Sequence, residues 1–183
     1  TAKERRAVHV KEVGGVEQSF QSKTGDFRLF AMMKHYHYQK TLRELWEHAV
    51  RTYESGNRDP NSYFTADQLQ WLTSIGLKVM DIYDYAEDWV SDQEPDYDTF
   101  LMICEARRDY FLTVQEEKWS DEVLDVSRIP AKTDAVEGIE WLPRILPKAR
   151  AKLRGEMPSD IMYGCGGDRK FFKANDIHPA EFL

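Results

Sequence analysis

The apolar positions along the chain recur at helical spacing. Taken at 100° per residue, Phe27, Ala31, Tyr38, Leu42, Leu45, Ala49 and Tyr53 fall on one stripe, which predicts an amphipathic helix over about residues 28–54. The turn-rich run ESGNRDPNS ends it. A second stripe is formed by Leu69, Leu72, Ile75, Gly76, Val79, Tyr83, Ala86 and Val90, and it predicts a helix over about 66–90. Thr65-Ala-Asp-Gln68 marks its start as a capping box, with Phe64 and Leu69 spaced as a hydrophobic staple. Gly76 lies inside that stripe, where it weakens helix propensity and points to close helix packing. SDQEPDYD breaks the pattern, and a third helix is expected over about 98–115 with Asp98 as N-cap. Its stripe is Phe100, Ile103, Cys104, Phe111 and Val114.

From residue 116 the chain turns polar, with one helical turn expected at Asp121–Leu124. In WLPRILPKARAKLRGE, Pro143 and Pro147 both lack an N–H donor, so they cannot both lie inside a regular helix. Placing Pro147 in the first turn gives a helix that runs to Arg154 and stops at Gly155. MYGCGGDRKFF predicts a glycine turn and a short helix capped by Asp168, and Pro179 opens another helical turn. The expected fold class is all-α: an irregular helical bundle with a small C-terminal helical segment. Its parts are an irregular arm over 1–25 with a short strand at Ala7–Val10, a helical core over 26–118, a linker over 119–138 and the segment 139–183.

Composition narrows the function classes. A chain of 183 residues buries a core without staples, and its five Trp, nine Tyr and nine Phe mostly fill that core or, less commonly, line a pocket for a flat ligand. A net charge of −7 argues against general nucleic-acid binding. No run of eighteen apolar residues occurs, which argues against a membrane span, and TAKERRAVHVKE lacks the apolar stretch of a signal peptide. A cytoplasmic location is the default expectation. Cys104 and Cys165 are far apart and form no CxxC pair.

Three stretches carry candidate chemistry. KHYHYQKTLRELWEH holds three of the five histidines. Glu44 and His48 are helical neighbours at i,i+4, whereas His37 and His48 lie roughly 16 Å apart and cannot share an ion. His35 falls at the edge of the apolar stripe and is the histidine expected to be partly buried. A divalent metal here needs His35, Glu44 or His48 together with a second helix, and the same groups suit acid/base work. The second stretch supplies that helix: eight carboxylates and no Lys or Arg between Asp81 and Asp98, with Asp84 and Asp88 as further candidate ligands. Ordinary solvated faces account for such patterns as well. The third stretch is basic: Arg144, Lys148, Arg150, Lys152 and Arg154 stand against Glu140. Arg144 and Lys148 with Gly166 and Gly167 form a candidate anion site. Alternatively the basic stretch docks on the acidic row, within a chain or between chains, so that residues 81–98 and 144–154 drive self-association. Cys165 is a candidate nucleophile, strengthened if a base such as His178 lies beside it.

WLPRILPKARAKLRGE, then Tyr163, Cys165 and Asp168 in YGCGGD, Phe171-Phe172 and the closing DIHPAEFL carry a likeness to a known family. The segment from about Val126 to Leu183 resembles a bacterial domain of unknown function, family 5069. The family tends to have Pro and an apolar residue where this chain has Gly166-Gly167. The resemblance implies no activity, but it draws attention to Cys165 and Asp168. Two functions follow from the sequence. One is a small metal- or small-molecule-binding enzyme with a His/carboxylate site between helices. The other is a non-catalytic interaction module or subunit that uses opposed charged patches.

Overall fold

The computed structural model describes residues 35–183. The arm over 1–25, its strand at Ala7–Val10, and Phe27 and Ala31 of the first stripe lie outside the described residues. The first described helix, α1, runs Tyr38–Glu54 and buries Tyr38, Leu42, Leu45, Ala49 and Tyr53 as the stripe predicts. Residues 35–37 form a bend, and His37 precedes the helix in a left-handed conformation at φ 65°.

The helix expected over 66–90 is two helices, α2 (Ala66–Ser74) and α3 (Met80–Asp92). Gly76 is the reason. Its φ of +78° ends the first helix, and a Cβ there would sit 2.5 Å from the Cβ of Phe111. The capping box at Thr65 forms, with Thr65 N–H donating to Gln68 Oε1 at 2.8 Å. The staple forms only in part, because Phe64 is buried whereas Leu69 is 38% exposed.

The next helix, α4 (Tyr97–Asp109), starts one residue before the expected cap. Asp96 is the N-cap, accepting the Thr99 N–H at 2.9 Å, and Asp98 sits in the first turn. A π-helical turn over Tyr110–Val114 widens the ladder, which buries Phe111 and leaves Val114 62% exposed. The linker has its helical turn at Val126–Arg128 rather than at Asp121–Leu124. It also carries a hairpin, β1 (Ala135–Val136) with β2 (Ile139–Glu140), paired antiparallel with Val136 opposite Ile139. Glu137 and Gly138, at φ 50° and 81°, form its two-residue turn. Strands of two residues are too short to show alternation, and among the described residues they are the only ones, so the fold is mostly α, consistent with the expected helical class.

Helix α5 (Leu142–Arg154) accommodates both prolines. Pro143 occupies the first turn, where no N–H is needed, and Pro147 lies inside, one turn later. The N–H that Pro147 lacks is the one that would have bonded Pro143, so the ladder loses a single bond close to its start. Gly155, at φ 70°, closes the helix as expected. Helix α6 (Gly166–Ala174) is preceded by Cys165 as N-cap, which places Asp168 in its first turn instead of at the cap.

Helix α1 packs on α3 and α4. Trp46 stands at the centre, with the rings of Tyr97, Trp89 and Phe100 at 5.3, 5.8 and 6.4 Å. Ile145 and Ala149 of α5 and Phe171 and Phe172 of α6 belong to this same cluster, so the C-terminal segment shares the core. Charge reinforces the join. Lys152 pairs with Asp81 at 2.5 Å, Arg169 pairs with Asp88 and with Asp92 at 3.1 Å, and Lys173 pairs with Glu94.

Candidate functional site

The turn from Tyr163 to Asp168 is pinned from several sides. Tyr85 donates its hydroxyl proton to the Tyr163 carbonyl at 2.5 Å, and the Tyr163 hydroxyl donates to the Pro179 carbonyl at 2.6 Å. Arg169 donates to the Gly164 carbonyl at 3.1 Å. Asp168 is fully buried and accepts three donors: the Trp141 indole N–H at 3.0 Å, the Gly164 N–H at 2.9 Å and the Lys148 ammonium. Lys148, 3% exposed, also donates toward Cys165 Sγ at 3.4 Å. One buried ammonium is thereby shared between a carboxylate and a half-buried thiol at the N-terminus of a helix. A cationic neighbour and a helix N-terminus are the surroundings in which cysteine nucleophiles are activated. Cys104 is the opposite case: burial pushes its thiol up to about 12.

Gly164 also lines a cleft of about 500 Å³ between residues 93–99 and α6. Its floor is apolar, formed by Pro95, Ile103, Phe172, Ile177 and Pro179, and Glu94, Asp96, Arg169, Lys173 and Asp176 supply its charges. Volumes of this order suit small organic ligands. His178 lines the cleft too and accepts the Ala180 N–H at Nδ1, so it is Lys148, and not His178, that neighbours Cys165.

No family model matches the chain, and no curated protein or solved structure matches it either. Site assignment therefore rests on geometry alone.

The residues of the histidine stretch stay apart. His48 donates from Nε2 to the Tyr63 carbonyl at 2.8 Å, and Glu44 is exposed at 4.0 Å from Lys40. His35 is exposed rather than partly buried, with Nδ1 at 3.2 Å from Arg108, because the chain bends before α1 and takes it off the apolar stripe. Asp88 is engaged by Arg169. Among the described residues no three His, Cys, Asp or Glu side chains gather where a metal ion would need them. Asp84 lines a cavity of about 20 Å³ with Asp81, Tyr85 and Lys152. Burial, and then the charge of Asp81, pushes its carboxyl up to about 8. Burial alone would raise Asp81 as well, but the charge and hydrogen bond of Lys152 hold it below the usual carboxylate range.

Of the four residues expected to bind an anion, Lys148 alone meets a carboxylate, and it is internal: Asp168, which also accepts the N–H of Gly164 rather than that of Gly166 or Gly167. Arg144 points away and donates to the Pro130 carbonyl at 2.8 Å. Gly167 is needed for packing, since a Cβ there would sit 2.3 Å from the Trp141 ring. Trp141 and the cleft were not visible in the sequence. The signal present was a lysine in the apolar half of α5, which a buried carboxylate had to answer. No described helix is long and apolar enough to cross a membrane.

Proposed function

We propose that the protein is a small-molecule-binding enzyme in which Cys165 is the nucleophile and the adjoining cleft holds the ligand. The Lys148 ammonium, held between Cys165 Sγ and Asp168, carries this reading. Lys148 supplies positive charge beside the sulfur, Asp168 fixes Lys148, and Trp141 fixes Asp168. A thiolate in this position attacks an electrophilic carbon, forming an S–C bond as the electron pair moves to a carbonyl oxygen or a leaving group. Tyr163, Cys165 and Asp168 are also among the residues, with WLPRILPKARAKLRGE, Phe171-Phe172 and DIHPAEFL, that carry the resemblance to the domain of unknown function, family 5069. A charge-driven interaction module draws less support, because Asp81, Asp88, Asp92 and Glu94 have cationic partners within the chain.

Iodoacetamide alkylation followed by peptide mass spectrometry tests the reading. At pH 7, Cys165 is expected to react at least about tenfold faster than glutathione, and Cys104 hardly at all. Lys148→Met is expected to slow Cys165, and Lys148→Arg to retain most of its rate by keeping the charge. Reactivity no greater than that of glutathione, or a rate indifferent to both substitutions, would remove Cys165 from the mechanism.

A further inference from the structure

We propose that the cleft between residues 93–99 and α6 binds an organic cation, a primary or secondary amine carried on an apolar body. This rests on the cleft being the ligand site, not on Cys165 being its nucleophile.

The argument is one of charge complementarity. Three carboxylates line the cleft, Glu94, Asp96 and Asp176, against two cations, Arg169 and Lys173. Both cations already have carboxylate partners. Arg169 is shared among Asp88, Asp92 and Glu94, and Lys173 is bound to Glu94. Among the lining side chains three acids face two bases, an excess of one negative charge, and Asp88 and Asp92 outside the cleft take up part of the charge of Arg169.

Two of the lining acids are held low. The Thr99 backbone and side chain hold Asp96 below its ordinary value, and the Lys173 hydrogen bond does the same for Glu94. Asp176 is exposed and makes no ion pair among the described residues, so its carboxylate is available at the cleft wall. Below these charges lies the floor of Pro95, Ile103, Phe172, Ile177 and Pro179, which suits a hydrocarbon or aromatic body. An anionic ligand would meet the carboxylates with no unshared cation to receive it. A neutral ligand would gain only the floor.

Isothermal titration calorimetry on the full chain tests this with a matched panel: 2-phenylethylamine, 2-phenylethanol and 3-phenylpropanoate, with their cyclohexyl counterparts. The amines are expected to bind at least about tenfold tighter than the alcohols, with the carboxylates weakest, and added salt should narrow the gap. Asp176→Asn keeps a residue that tolerates the left-handed backbone at φ 51°. It should weaken the amines roughly three- to tenfold and leave the alcohols unchanged. Amide shifts on amine addition should centre on residues 93–99 and 172–179. The amines should bind the wild-type chain whether or not Cys165 proves reactive, so a failed thiol experiment leaves this one standing. Carboxylates binding as tightly as amines, shifts centred elsewhere, or no panel member binding at millimolar concentration would each overturn the proposal.

Discussion

Replacing Asp84 by Asn should stabilise the protein at high pH and do nothing at low pH. The carboxyl of Asp84 faces Asp81 and Lys152 across a cavity of about 20 Å³, with Glu87 and Asp88 on its own helix. Burial and the Asp81 charge raise it from 3.8 to about 8. Roughly four pH units at about 1.4 kcal/mol each set a ceiling of about 6 kcal/mol. The folded chain holds the proton more tightly than the unfolded chain does. The stability from this group is therefore complete below the unfolded value and is lost as pH rises toward the folded one. Asn keeps the shape and removes the titration. Relaxation and water ingress reduce the ceiling, so the variant should gain roughly 2–4 kcal/mol at pH 8 and above. The gain should shrink steadily to near zero by about pH 4. Asp81 is held low by Lys152 and titrates below this window, so it does not obscure the trend. Urea unfolding followed by circular dichroism at unit steps from pH 5 to 9 reads the difference directly. A gain that stays constant with pH, or a variant less stable at pH 8, would refute the reasoning.

Two further substitutions probe the join between segments. Lys152→Met leaves the buried Asp81 carboxylate without its cation and should cost about 3–5 kcal/mol in urea unfolding, part of which Asp81→Asn restores. A loss under about 1 kcal/mol would show that water reaches Asp81. Gly167→Ala places a Cβ 2.3 Å from the Trp141 ring, which must move and give up its bond to Asp168. The expected loss is roughly 2–4 kcal/mol with a shifted tryptophan emission, and an unchanged Tm would contradict the packing described.

The helices were legible because their signals are local. The stripe through Tyr38, Leu42, Leu45, Ala49 and Tyr53 and the Thr65–Gln68 box each lie within a few turns of chain. Boundaries set by distant contacts were not legible. Gly76 breaks a helix partly because Phe111, 35 positions later, needs its space. Asp96 takes the cap from Asp98, a choice between two adjacent, equally suitable residues. The candidate site divides in the same way. Cys165, Lys148 and the glycine turn stand out by residue type, but the sequence offered an external anion where the structure supplies Asp168. The cleft joins residues 93–99 to residues 164–179, and no periodicity links stretches so far apart. On a helical projection Glu44 and His48 are neighbours and His35 sits at the edge of the apolar stripe, yet each turns to a different partner once the bend before α1 and the Tyr63 carbonyl are in place.

The burial of the C-terminal cations has a consequence for recognition. Lys148, Lys152 and Arg169 are at most 8% exposed, each turned inward onto a carboxylate. In a chain of net charge −7, using the basic groups as internal fasteners leaves much of the acidic excess outside. The same fastening draws α6 against residues 93–99 and so forms the cleft, whose cations are already shared while Asp176 is not. The thiol is treated differently from the carboxylates. Lys148 touches Cys165 while it is held by Asp168, so the cation beside the sulfur is anchored. The proposed preference for cationic ligands in the cleft and the proposed nucleophile beside it thus depend on one arrangement, the packing of α5 and α6 against the acidic stretch.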